Sequence, residues 1–457
     1  MEWAKLLCHD RLRQTNRQPE ETRTEIERDY GRVIFSTPVR RLQDKAQVFP
    51  LEPIDAVRTR LTHSLEVSSV SKGLAHSVCQ TLLQNTKITQ EQAYDIESIA
   101  ATCGLIHDLG NPPFGHAGEQ AIRDWFKEKS ETFWEFDTTT GQKYRKDLEN
   151  FEGNAQTLRL VATLQVLSDR SGLNLTCATL SAASKYTASS LEIDGTRQSK
   201  KKLGFFSSEQ KIIADVRQQT GTGDKRNPIT LMVEASDDIV YSVVDLEDGI
   251  KKGVLSWADA RRILDENRGK IGDQLFVDCI ERAEQKIAEA TIPLNGRNKD
   301  EAIAQYFRTY VIGKAVDAVH RQFMNNYEAI MAGNYEKELL YDLKCGVLGL
   351  YTVLKEEIGC KNVYCSKETL RLELLGRNVI HYLMDTFWRA NPSEKPKTFA
   401  RKTYNLLSQN YRTVFENPTT HEKSLPDTYR KALLITDYIC GMTDTFALNL
   451  NRELQNG

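Results

Sequence analysis

The chain has 457 residues, of which 40% are hydrophobic and 27% charged, as in ordinary soluble globular proteins. Lysine and arginine (61) nearly balance aspartate and glutamate (63), and the formal net charge of -2 argues against a nucleic-acid coat protein. No apolar run approaches the roughly 20 residues that span a bilayer, and charge interrupts the first residues too early for a signal peptide. We therefore expect a cytoplasmic protein with no membrane partner.

Nine cysteines are scattered along the chain, and none forms a CxxC pair. The count is odd, and the closest two are Cys360 and Cys365. Reduced thiols in a reducing compartment fit this pattern better than a disulfide framework or a cysteine zinc site.

Helical periodicity dominates the chain. Between residues 55 and 83, apolar side chains recur mostly every three or four positions, as one face of a helix requires. Similar stripes predict further helices over 96–106, 155–167, 229–250, 302–327, 339–355, 366–388 and 427–450. Short alternating runs at 32–35 and 361–364 are the best strand candidates. The pattern predicts an all-α fold with at most a short β-hairpin, and we expect residues 1–457 to form a single compact unit.

Two polar segments interrupt the helical pattern. Residues 126–150 are rich in charge, and we interpret them as a surface insertion or loop. Residues 189–225 are rich in Ser, Lys, Gln, Gly and Thr, and we expect them to be mobile. This second segment is either a lid over a polyanionic ligand or, as is more usual for such a charge run, a plain solvated loop.

A histidine and an aspartate stand side by side at positions 107 and 108, directly before Leu-Gly-Asn-Pro-Pro. Adjacent side chains on a helix point about 100° apart, so both can grip one ion only where the helix ends, and the glycine and prolines supply that end. An imidazole with a carboxylate suits Mn²⁺, Fe²⁺, Co²⁺, Ni²⁺ or Zn²⁺. His63 and Asp237, each on a predicted helix, are the candidates for the remaining ligands, and Asp238 is the rival of Asp237.

A metal site is not the only interpretation of these residues. A His-Asp dipeptide is more often an exposed pair or a local hydrogen bond, and a buried histidine is more often a core residue with its hydrogen bonds satisfied. However, three of only eight histidines, His63, His107 and His116, fall in the two most motif-like segments. Their concentration favours the metal interpretation.

Helical spacing groups further polar residues with these candidates. Tyr241 and Asp245 follow Asp237 by four and eight positions, and therefore lie on one helix face. Arg60 precedes His63 by three positions, which would place a guanidinium suited to phosphate beside a metal. A core aromatic with a bonded hydroxyl is the alternative for Tyr241.

His116 and Glu119 are three positions apart, just after Pro-Pro-Phe-Gly. If a helix begins there, the two side chains share a face and can form a hydrogen bond that orients the imidazole and raises its basicity. The alternative for Glu119 is a carboxylate facing the N-terminal end of the helix dipole.

The order of His63, His107-Asp108 and Asp237 resembles the HD superfamily of metal-dependent phosphohydrolases. Longer blocks resemble, more narrowly, its dNTP triphosphohydrolase branch of the bacterial dGTPase type, and these blocks are residues 31–52, 58–66, 107–119, 151–156 and 437–444. The similarity runs from about residue 25 to 450. It implies an HD core at about 58–250 and a C-terminal helical part at about 251–457.

This resemblance implies hydrolysis of dGTP, or of several dNTPs, to deoxynucleoside and inorganic tripolyphosphate, in control of the dNTP pool. It also implies one divalent metal per subunit, with Mn²⁺ or Mg²⁺ favoured over Co²⁺, Ni²⁺, Fe²⁺ or Zn²⁺. The ligands that it implies are His63, His107, Asp108 and Asp237. In the family, a histidine at the position of His116, with the acid at Glu119, acts at the scissile bond. Whether it serves as acid, base or nucleophile stays open.

The resemblance also implies substrate contacts. Lys185, in a pair with Tyr186, would meet the phosphate tail, and Arg60 is placed for the α-phosphate. The sugar would meet Gln47, Val48 and Tyr241, and Asp245 would sit near the sugar or the phosphate. Gln47 would bind the 3′-hydroxyl and Val48 would fill the 2′ position, which would exclude ribonucleotides. A surface glutamine, a core valine and an exposed lysine are the alternatives. Asn154 and Gln156 are expected to support the pocket, and Tyr310 and Glu373, the latter on the base side, are weaker candidates.

Partners and rival functions follow from the same resemblance. It implies a homo-oligomer, with a hexamer as the candidate order, and single-stranded DNA as a candidate effector. Asn111 stands where one subgroup of relatives has histidine, which favours the bacterial type and leaves an allosteric nucleotide site open. The rivals are another HD phosphohydrolase, such as a 5′-nucleotidase or a phosphodiesterase, and a nucleotide-binding protein that responds to single-stranded DNA. Basic spots at 40–41, 200–202 and 401–402 lack the interleaved aromatics of a nucleic-acid groove.

Overall fold

The computed structural model describes residues 1–13, 22–165 and 171–456. Within these ranges strand pairing is limited to isolated bridges, so the predicted all-α class is confirmed. Both short strand predictions are wrong. Residues 32–34 belong to the helix Glu25–Ile34, and residues 361–363 end the π-helical segment Val353–Val363. Helix propagation from the flanking residues overrides the short alternating runs.

The described ranges form a succession of helices. In chain order, the α-helices are α1 (Trp3–Leu6), α2 (Glu25–Ile34), α3 (Thr37–Arg41), α4 (Arg60–Gln84), α5 (Gln90–Ile106), α6 (Gly115–Glu128), α7 (Gln142–Glu149), α8 (Gly153–Arg159), α9 (Cys177–Ala183), α10 (Gln210–Thr220), α11 (Pro228–Lys252), α12 (Trp257–Glu266), α13 (Arg268–Ile271), α14 (Asp273–Phe276), α15 (Arg282–Ala288), α16 (Gly296–Asn325), α17 (Tyr327–Met331), α18 (Gly346–Thr352), α19 (Lys367–Trp388), α20 (Phe399–Leu406), α21 (Gln409–Glu416), α22 (Asp427–Cys440) and α23 (Asp444–Asn456). Short 3₁₀ segments are Leu42–Asp44, Ser130–Phe136, Gln198–Lys200, Ser207–Glu209 and Glu422–Ser424, and π-helical segments are Leu160–Leu164, Val277–Glu281 and Val353–Val363. None of the described helices combines the length and apolar composition that crossing a bilayer requires.

Helices α4, α5 and α11 pack against one another at the centre of the fold. Their starts are defined by capping residues. Helix α5 follows Thr89, whose hydroxyl accepts the Gln92 N–H at 3.3 Å, and α11 follows Asn227, whose side chain accepts the Ile229 N–H at 3.0 Å. Pro228 occupies the first position of α11, where its missing N–H costs no hydrogen bond.

A glycine allows α4 and α5 to approach closely. A Cβ atom at Gly104 would lie 2.8 Å from the Ser68 Cα, so no larger residue fits without moving a helix. In addition, the Ser68 hydroxyl donates to the Ala101 carbonyl at 2.7 Å. His63 lies on α4 five residues before Ser68, and His107 directly follows the last residue of α5, three residues after Gly104. The contact between Ser68 and Gly104 therefore helps to hold the two histidines close together.

Two apolar clusters flank this point. The first is formed mainly by α1, α4, α5, α11 and the helices α12–α18, and the second mainly by α6–α10 and α19–α23. The end of α5 belongs to both, because Cys103 packs in the first cluster while Leu105 and Ile106 pack in the second. His107 therefore lies where the two clusters meet.

Most predicted helices are present, with shifted ends. The stripe at 427–450 is two helices, α22 and α23, separated by the segment 441–443. The stripe at 339–355 becomes helical only from Gly346, and continues as a π-helical segment after α18. The stripe at 155–167 is α8 followed by a π-helical segment to Leu164, and its last two residues lie outside the described residues.

Neither polar segment is a plain loop. Residues 126–150 contain α7 and bury the apolar side chains of Phe126, Phe133, Phe136 and Leu148. Residues 189–225 contain α10 and likewise bury Leu203, Phe205 and Phe206 in the second apolar cluster. The loop interpretation is wrong for both, because a few apolar residues among many charged ones are enough to anchor a segment to a core.

Candidate active site

A cavity of about 240 Å³ opens where α4, α5, α6 and α11 meet. Its walls are strongly charged. Its lining includes the acids Asp108, Glu119, Glu152, Glu234, Asp237 and Asp238, the cations Arg60, Lys185 and Lys202, and the side chains of Gln47, Asn111, Asn154, His107, His116, Tyr186 and Tyr241.

One ring nitrogen of His107, which lines this cavity, has no hydrogen-bond partner within the described residues. Helix α5 ends at Ile106, as the Leu-Gly-Asn-Pro-Pro sequence predicts, and the His107 Nδ1 lies 2.7 Å from the Gly104 carbonyl. Because a carbonyl can only accept, Nδ1 carries a proton, so Nε2 is the atom through which a neutral imidazole at this position can offer a lone pair. The Nε2 atom is buried and has no hydrogen-bond partner within the described ranges. It lies 3.5 Å from the Asp108 Oδ2 and 3.6 Å from the Asp237 Oδ1.

His63 completes a compact cluster with His107 and Asp237. It is fully buried, and its Nε2 lies 3.1 Å from the Asp237 Oδ1. The two imidazole rings meet edge to face, with centroids 5.4 Å apart. One donor atom from each of the three residues lies within 4.8 Å of the other two, a spacing at which a single ion can contact all three. The cluster contains Asp237 rather than its rival Asp238.

Asp108 stands beside this cluster and is held by two neighbours. Arg60 donates to its Oδ2, and the Asn111 amide donates to its Oδ1 at 2.6 Å. Burial opposes ionisation of Asp108, but the charge of Arg60, with the nearby His107, outweighs it and lowers the pKa of the carboxyl to about 2. Asp108 is therefore an ionised carboxylate next to His107, but it is not one of the three closest donors.

The four residues fit a divalent cation. Burial also opposes ionisation of Asp237, yet His107 and His63 outweigh it and hold the pKa of that carboxyl well below its usual range. The unpartnered Nε2 of His107 faces two carboxylates, whereas a buried polar atom ordinarily has a hydrogen-bond partner. Two imidazoles and two carboxylates form a donor set typical of first-row divalent metals.

His116 lies in the first turn of α6, in the cavity wall. Helix α6 begins at Gly115, directly after Phe114, and the His116 side chain is accessible from the cavity, although protein surrounds most of it. Burial, followed by the charge of Arg60, lowers the pKa of His116 and favours the neutral imidazole.

Glu119 is buried behind His116 but is bonded elsewhere. Its Oε2 accepts the Gly153 N–H at 3.2 Å, and its Oε1 accepts from the Arg123 guanidinium. The expected hydrogen bond between His116 and Glu119 is therefore wrong, because Arg123 and the first N–H of α8 take up the carboxylate. Burial, with the nearby charge of Glu152, raises the pKa of Glu119 to about 7.

Three cations reach the cavity from separate parts of the chain. Arg60 begins α4, Lys185 follows α9, and Lys202 belongs to the segment 189–225. Each has an acidic neighbour. The Lys185 Nζ lies 3.8 Å from the Glu234 Oε1, and the Lys202 Nζ lies 3.1 Å from the Glu152 Oε2. Converging cations of this kind suit a polyphosphate.

The predicted sugar contacts are only partly brought together. Gln47 and Tyr241 line the cavity, and the Gln47 Oε1 is buried without a partner within the described ranges. By contrast, Val48 packs against the first apolar cluster and is not part of the lining. Asp245 also lies outside the lining, where the Tyr364 hydroxyl donates to it and burial raises its pKa to about 8.

Three further predictions fall outside the cavity. Tyr310 lies on α16, where the Arg282 guanidinium stacks 4.8 Å from its ring centroid. Glu373 lies on α19 and is not part of the lining. Of the two residues expected to support the pocket, Gln156 donates to the Asp437 Oδ1 at 2.9 Å in a buried polar network, whereas Asn154 lines the cavity itself. For Tyr310 and Glu373 no helical register tied the residue to the site.

Sequence reasoning missed several lining residues. Glu152 and Glu234 lie inside or beside the motif segments of the sequence, but their spacing assigns neither of them a role. The sequence marks Lys202 only as part of a basic spot at 200–202. No local spacing signals that Lys202 faces the cavity, because its position depends on how residues 203–206 pack into the second apolar cluster.

Central helices that bring two histidines and an aspartate to one buried point define an HD-type phosphohydrolase, and comparisons with known proteins agree with this class. A family model described as a phosphohydrolase-associated domain matches residues 350–453. The deoxyguanosinetriphosphate triphosphohydrolase-like protein of Listeria monocytogenes is 34% identical over 472 residues, covering 99% of both chains. The deoxyguanosinetriphosphate triphosphohydrolase of Yersinia enterocolitica is 32% identical over 487 residues, covering 94% of this chain and 93% of the relative. A triphosphohydrolase-like protein of Synechocystis is 31% identical over 476 residues, covering 100% and 99%.

The chain therefore belongs to the deoxyguanosinetriphosphate triphosphohydrolase family and is a hydrolase. The sequence blocks that carry the resemblance fall within the matched length.

Proposed function

We propose that this protein removes the whole triphosphate from a deoxynucleoside triphosphate, with dGTP as the preferred substrate. Water and dNTP give a deoxynucleoside and inorganic tripolyphosphate, because the bond that breaks joins the α-phosphorus to the 5′-oxygen. One observation carries the proposal. His107 and Asp237, which form a compact cluster with the buried His63, line the same cavity as three separate cations and an accessible histidine. The names of the relatives support the same reaction.

We propose that one divalent cation per subunit is held by His63, His107 and Asp237 together with Asp108. Mn²⁺ and Mg²⁺ are the first candidates, and histidine ligands favour Mn²⁺. When bound, the ion supplies a Lewis acid that polarises a phosphate oxygen and lowers the pKa of water.

The cations of the cavity bind the phosphate chain. Arg60, Lys185 and Lys202 lie beside the acidic groups of Asp108, Glu234 and Glu152, respectively. A triphosphate offers these cations stronger, multiply charged acceptors, so their binding energy holds the α-phosphate against the histidine–aspartate cluster.

His116 moves the proton that the reaction requires. Its lowered pKa favours the neutral imidazole in the free protein, and the negative charge of a bound triphosphate opposes that lowering. His116 therefore takes up a proton with the substrate and delivers it to the 5′-oxygen as the bond to phosphorus breaks. Glu119 and Arg123 fix the helix face behind His116 rather than bonding to the imidazole.

The sugar is held by Gln47 and Tyr241. The unpartnered Oε1 of Gln47 accepts the 3′-hydroxyl, and the Tyr241 ring lies along the deoxyribose. We propose that Val48, the residue after Gln47, limits the space at the 2′ position, although its side chain packs against the first apolar cluster. Comparison of GTP with dGTP tests this directly. We further propose a homo-oligomer and a response to single-stranded DNA, which light scattering and rate measurements with added oligonucleotide test.

The test is product identification with each of the four dNTPs and with Mn²⁺ or Mg²⁺. Three proteins are compared, namely the wild type, His107→Ala and the control His76→Ala. His76 lies on α4 like His63, but it is exposed and paired with Glu97 outside the cavity. We expect deoxynucleoside and tripolyphosphate from the wild type and His76→Ala, fastest with dGTP, and neither product from His107→Ala.

The outcomes separate the parts of the proposal. Equal rates with four dNTPs would remove the preference for dGTP and keep the reaction. Orthophosphate or pyrophosphate as the product would instead indicate a nucleotidase or phosphodiesterase of the same superfamily. Activity of His107→Ala equal to that of the wild type would exclude the cluster as the reaction centre.

A further inference from the structure

One carboxylate from the C-terminal part of the chain joins two segments that line the cavity. Asp444, the first residue of α23, accepts the Ala46 N–H through Oδ2 at 3.0 Å and the Phe114 N–H through Oδ1 at 2.9 Å. Its side chain is buried, with 1% of its surface exposed. The two amides lie 68 positions apart along the chain, so one side chain sets the separation of two distant segments.

Each of these amides belongs to a segment that carries site residues. Ala46 directly precedes Gln47, and its carbonyl accepts from the Arg60 guanidinium at 2.9 Å. Phe114 lies two positions before His116 and three after Asn111, which itself binds Asp108. The backbone of Phe114 is left-handed, with φ of 63°. A bulky residue adopts that conformation only where its surroundings impose it.

A lysine ties the same three segments a second time. The Lys45 Nζ is buried, and it donates to the Asn111 carbonyl at 2.6 Å and to the Cys440 carbonyl at 2.7 Å. We call the contacts of Lys45 and Asp444 the clasp. It joins residues 45–46, residues 111–114 and residues 440–444 at one buried point.

We infer that Asp444 is a positioning residue that fixes the distance between the Gln47 side and the His116 side of the cavity. The phosphohydrolase-associated segment, residues 350–453, thereby gains a role in the reaction although its Asp444 does not line the cavity. The catalytic consequence rests on the proposed function, whereas the clasp itself does not.

The chemistry of the clasp calls for a carboxylate. Two backbone N–H groups need two acceptor atoms, and Asp444 supplies one oxygen to each. Asp444→Asn keeps the size of the side chain but leaves one oxygen atom. One of the two backbone N–H groups would then face the NH₂ group of the asparagine, which is a donor as well. The buried amide then loses its partner, and the segment that carries it moves or opens.

The experiment measures hydrogen exchange and kinetics on the full-length protein. In Asp444→Asn we expect the peptides covering residues 44–48 or 111–116 to exchange roughly tenfold faster, as the loss of about one hydrogen bond predicts. We also expect kcat on the best dNTP to fall roughly 10- to 100-fold, the usual cost of a small displacement of site residues. The Mn²⁺ affinity should fall less than kcat does, because, of the four proposed ligands, Asp108 is linked to the clasp through Asn111, whereas His63, His107 and Asp237 form no hydrogen bond with Asp444 in the described structure.

Thr445→Val is the matched control. Thr445 follows Asp444, and its hydroxyl donates to the Asp44 Oδ1 at 2.8 Å in an exposed position. This variant removes a hydrogen bond between the start of α23 and the chain just before Ala46, but it leaves the Ala46 and Phe114 N–H groups bonded to Asp444. We therefore expect hydrogen exchange and kcat to stay at the wild-type level. If Asp444→Asn does not fold, Lys45→Met removes the other contacts of the clasp, the hydrogen bonds from Lys45 to the Asn111 and Cys440 carbonyls, and we expect the same results.

The outcomes judge the inference separately from the proposed function. Unchanged exchange at both segments would overturn the clasp. Faster exchange with kcat within twofold of the wild type would overturn its positioning role. A wild-type protein that hydrolyses no dNTP would end the proposed function, and the exchange data would still decide whether Asp444 holds the two segments.

Discussion

Two aspartates of α11, eight residues apart on one helix face, are held in opposite charge states. Asp237 is surrounded by His107, His63 and Lys185, and its pKa lies well below the usual range despite burial. Asp245 is buried beside the Tyr364 hydroxyl, and burial raises its pKa to about 8. The first is an anion at neutral pH and the second is mostly a neutral acid.

The elements packed against α11 make the difference. His63 on α4, His107 after α5 and Lys185 after α9 converge on Asp237. The guanidinium that acts on Asp245, that of Arg58, is instead bonded to Glu66, Glu247 and Asp248. The same residue type on the same helix therefore serves either as a charged ligand or as a buried hydrogen-bonding group, depending on partners far away in sequence.

The strongest test of this comparison is one substitution made at both positions. Asp237→Asn should abolish measurable turnover, since loss of a ligand exceeds the roughly 10- to 100-fold cost of losing a supporting group. Asp245→Asn should lose far less, because the amide resembles the neutral acid that it replaces. Steady-state kinetics and Mn²⁺ titration calorimetry check both. Equal losses in the two variants would contradict the difference in their roles.

His116, in the part of the cavity wall that α6 forms, gives the next largest effect. His116→Gln should lower kcat by about 100-fold or more, the usual contribution of a proton-transferring group, while Mn²⁺ binding stays unchanged. The exposed His76 serves as control in His76→Gln, for which we expect wild-type rates. A drop in Mn²⁺ affinity in His116→Gln would instead indicate that His116 acts through the metal cluster.

A neighbouring pair of lysines tests the cationic wall. Lys202→Ala should raise KM for dGTP by about tenfold, the value of one charge-assisted hydrogen bond to phosphate, with a smaller effect on kcat. Lys201 is exposed, and Lys201→Ala should leave both constants unchanged. Equal effects of the two substitutions would mean that position 202 contributes only diffuse charge.

The smallest effect concerns the contribution of Asp245, in the C-terminal half of α11, to the stability of the fold. The pKa of Asp245 is raised in the folded state, so the native protein binds its proton more tightly than the unfolded chain does. The stability that this residue contributes is therefore present below its unfolded pKa of about 4 and is lost as pH rises toward 8. The urea midpoint of Asp245→Asn minus that of the wild type should therefore be larger at pH 8 than at pH 5. A pH-independent difference would show that Asp245 ionises normally.

The sequence alone predicts the parts of the site that depend on helical register. The end of α5 at His107, the shared face of Arg60 and His63, and the preference for Asp237 over Asp238 all follow from spacing. The bond expected between His116 and Glu119 also followed from spacing but was wrong, because Gly153 and Arg123 compete for the carboxylate.

The remaining contacts depend on chain segments that meet only in the folded protein. Asp444 reaches Phe114 across 330 positions, and no local pattern marks that partner. Lys202 faces the cavity because the residues after it are anchored in the second apolar cluster. Such long-range contacts leave no periodic trace in a single sequence.

Hydrolysis of dGTP in H₂¹⁸O would decide whether water attacks the α-phosphorus, because mass spectrometry of the products shows both which bond breaks and where water adds. Attack on the α-phosphorus gives tripolyphosphate that carries one ¹⁸O atom and unlabelled deoxyguanosine, and we expect these products. Label in deoxyguanosine, or label in orthophosphate or pyrophosphate without tripolyphosphate, would contradict this expectation.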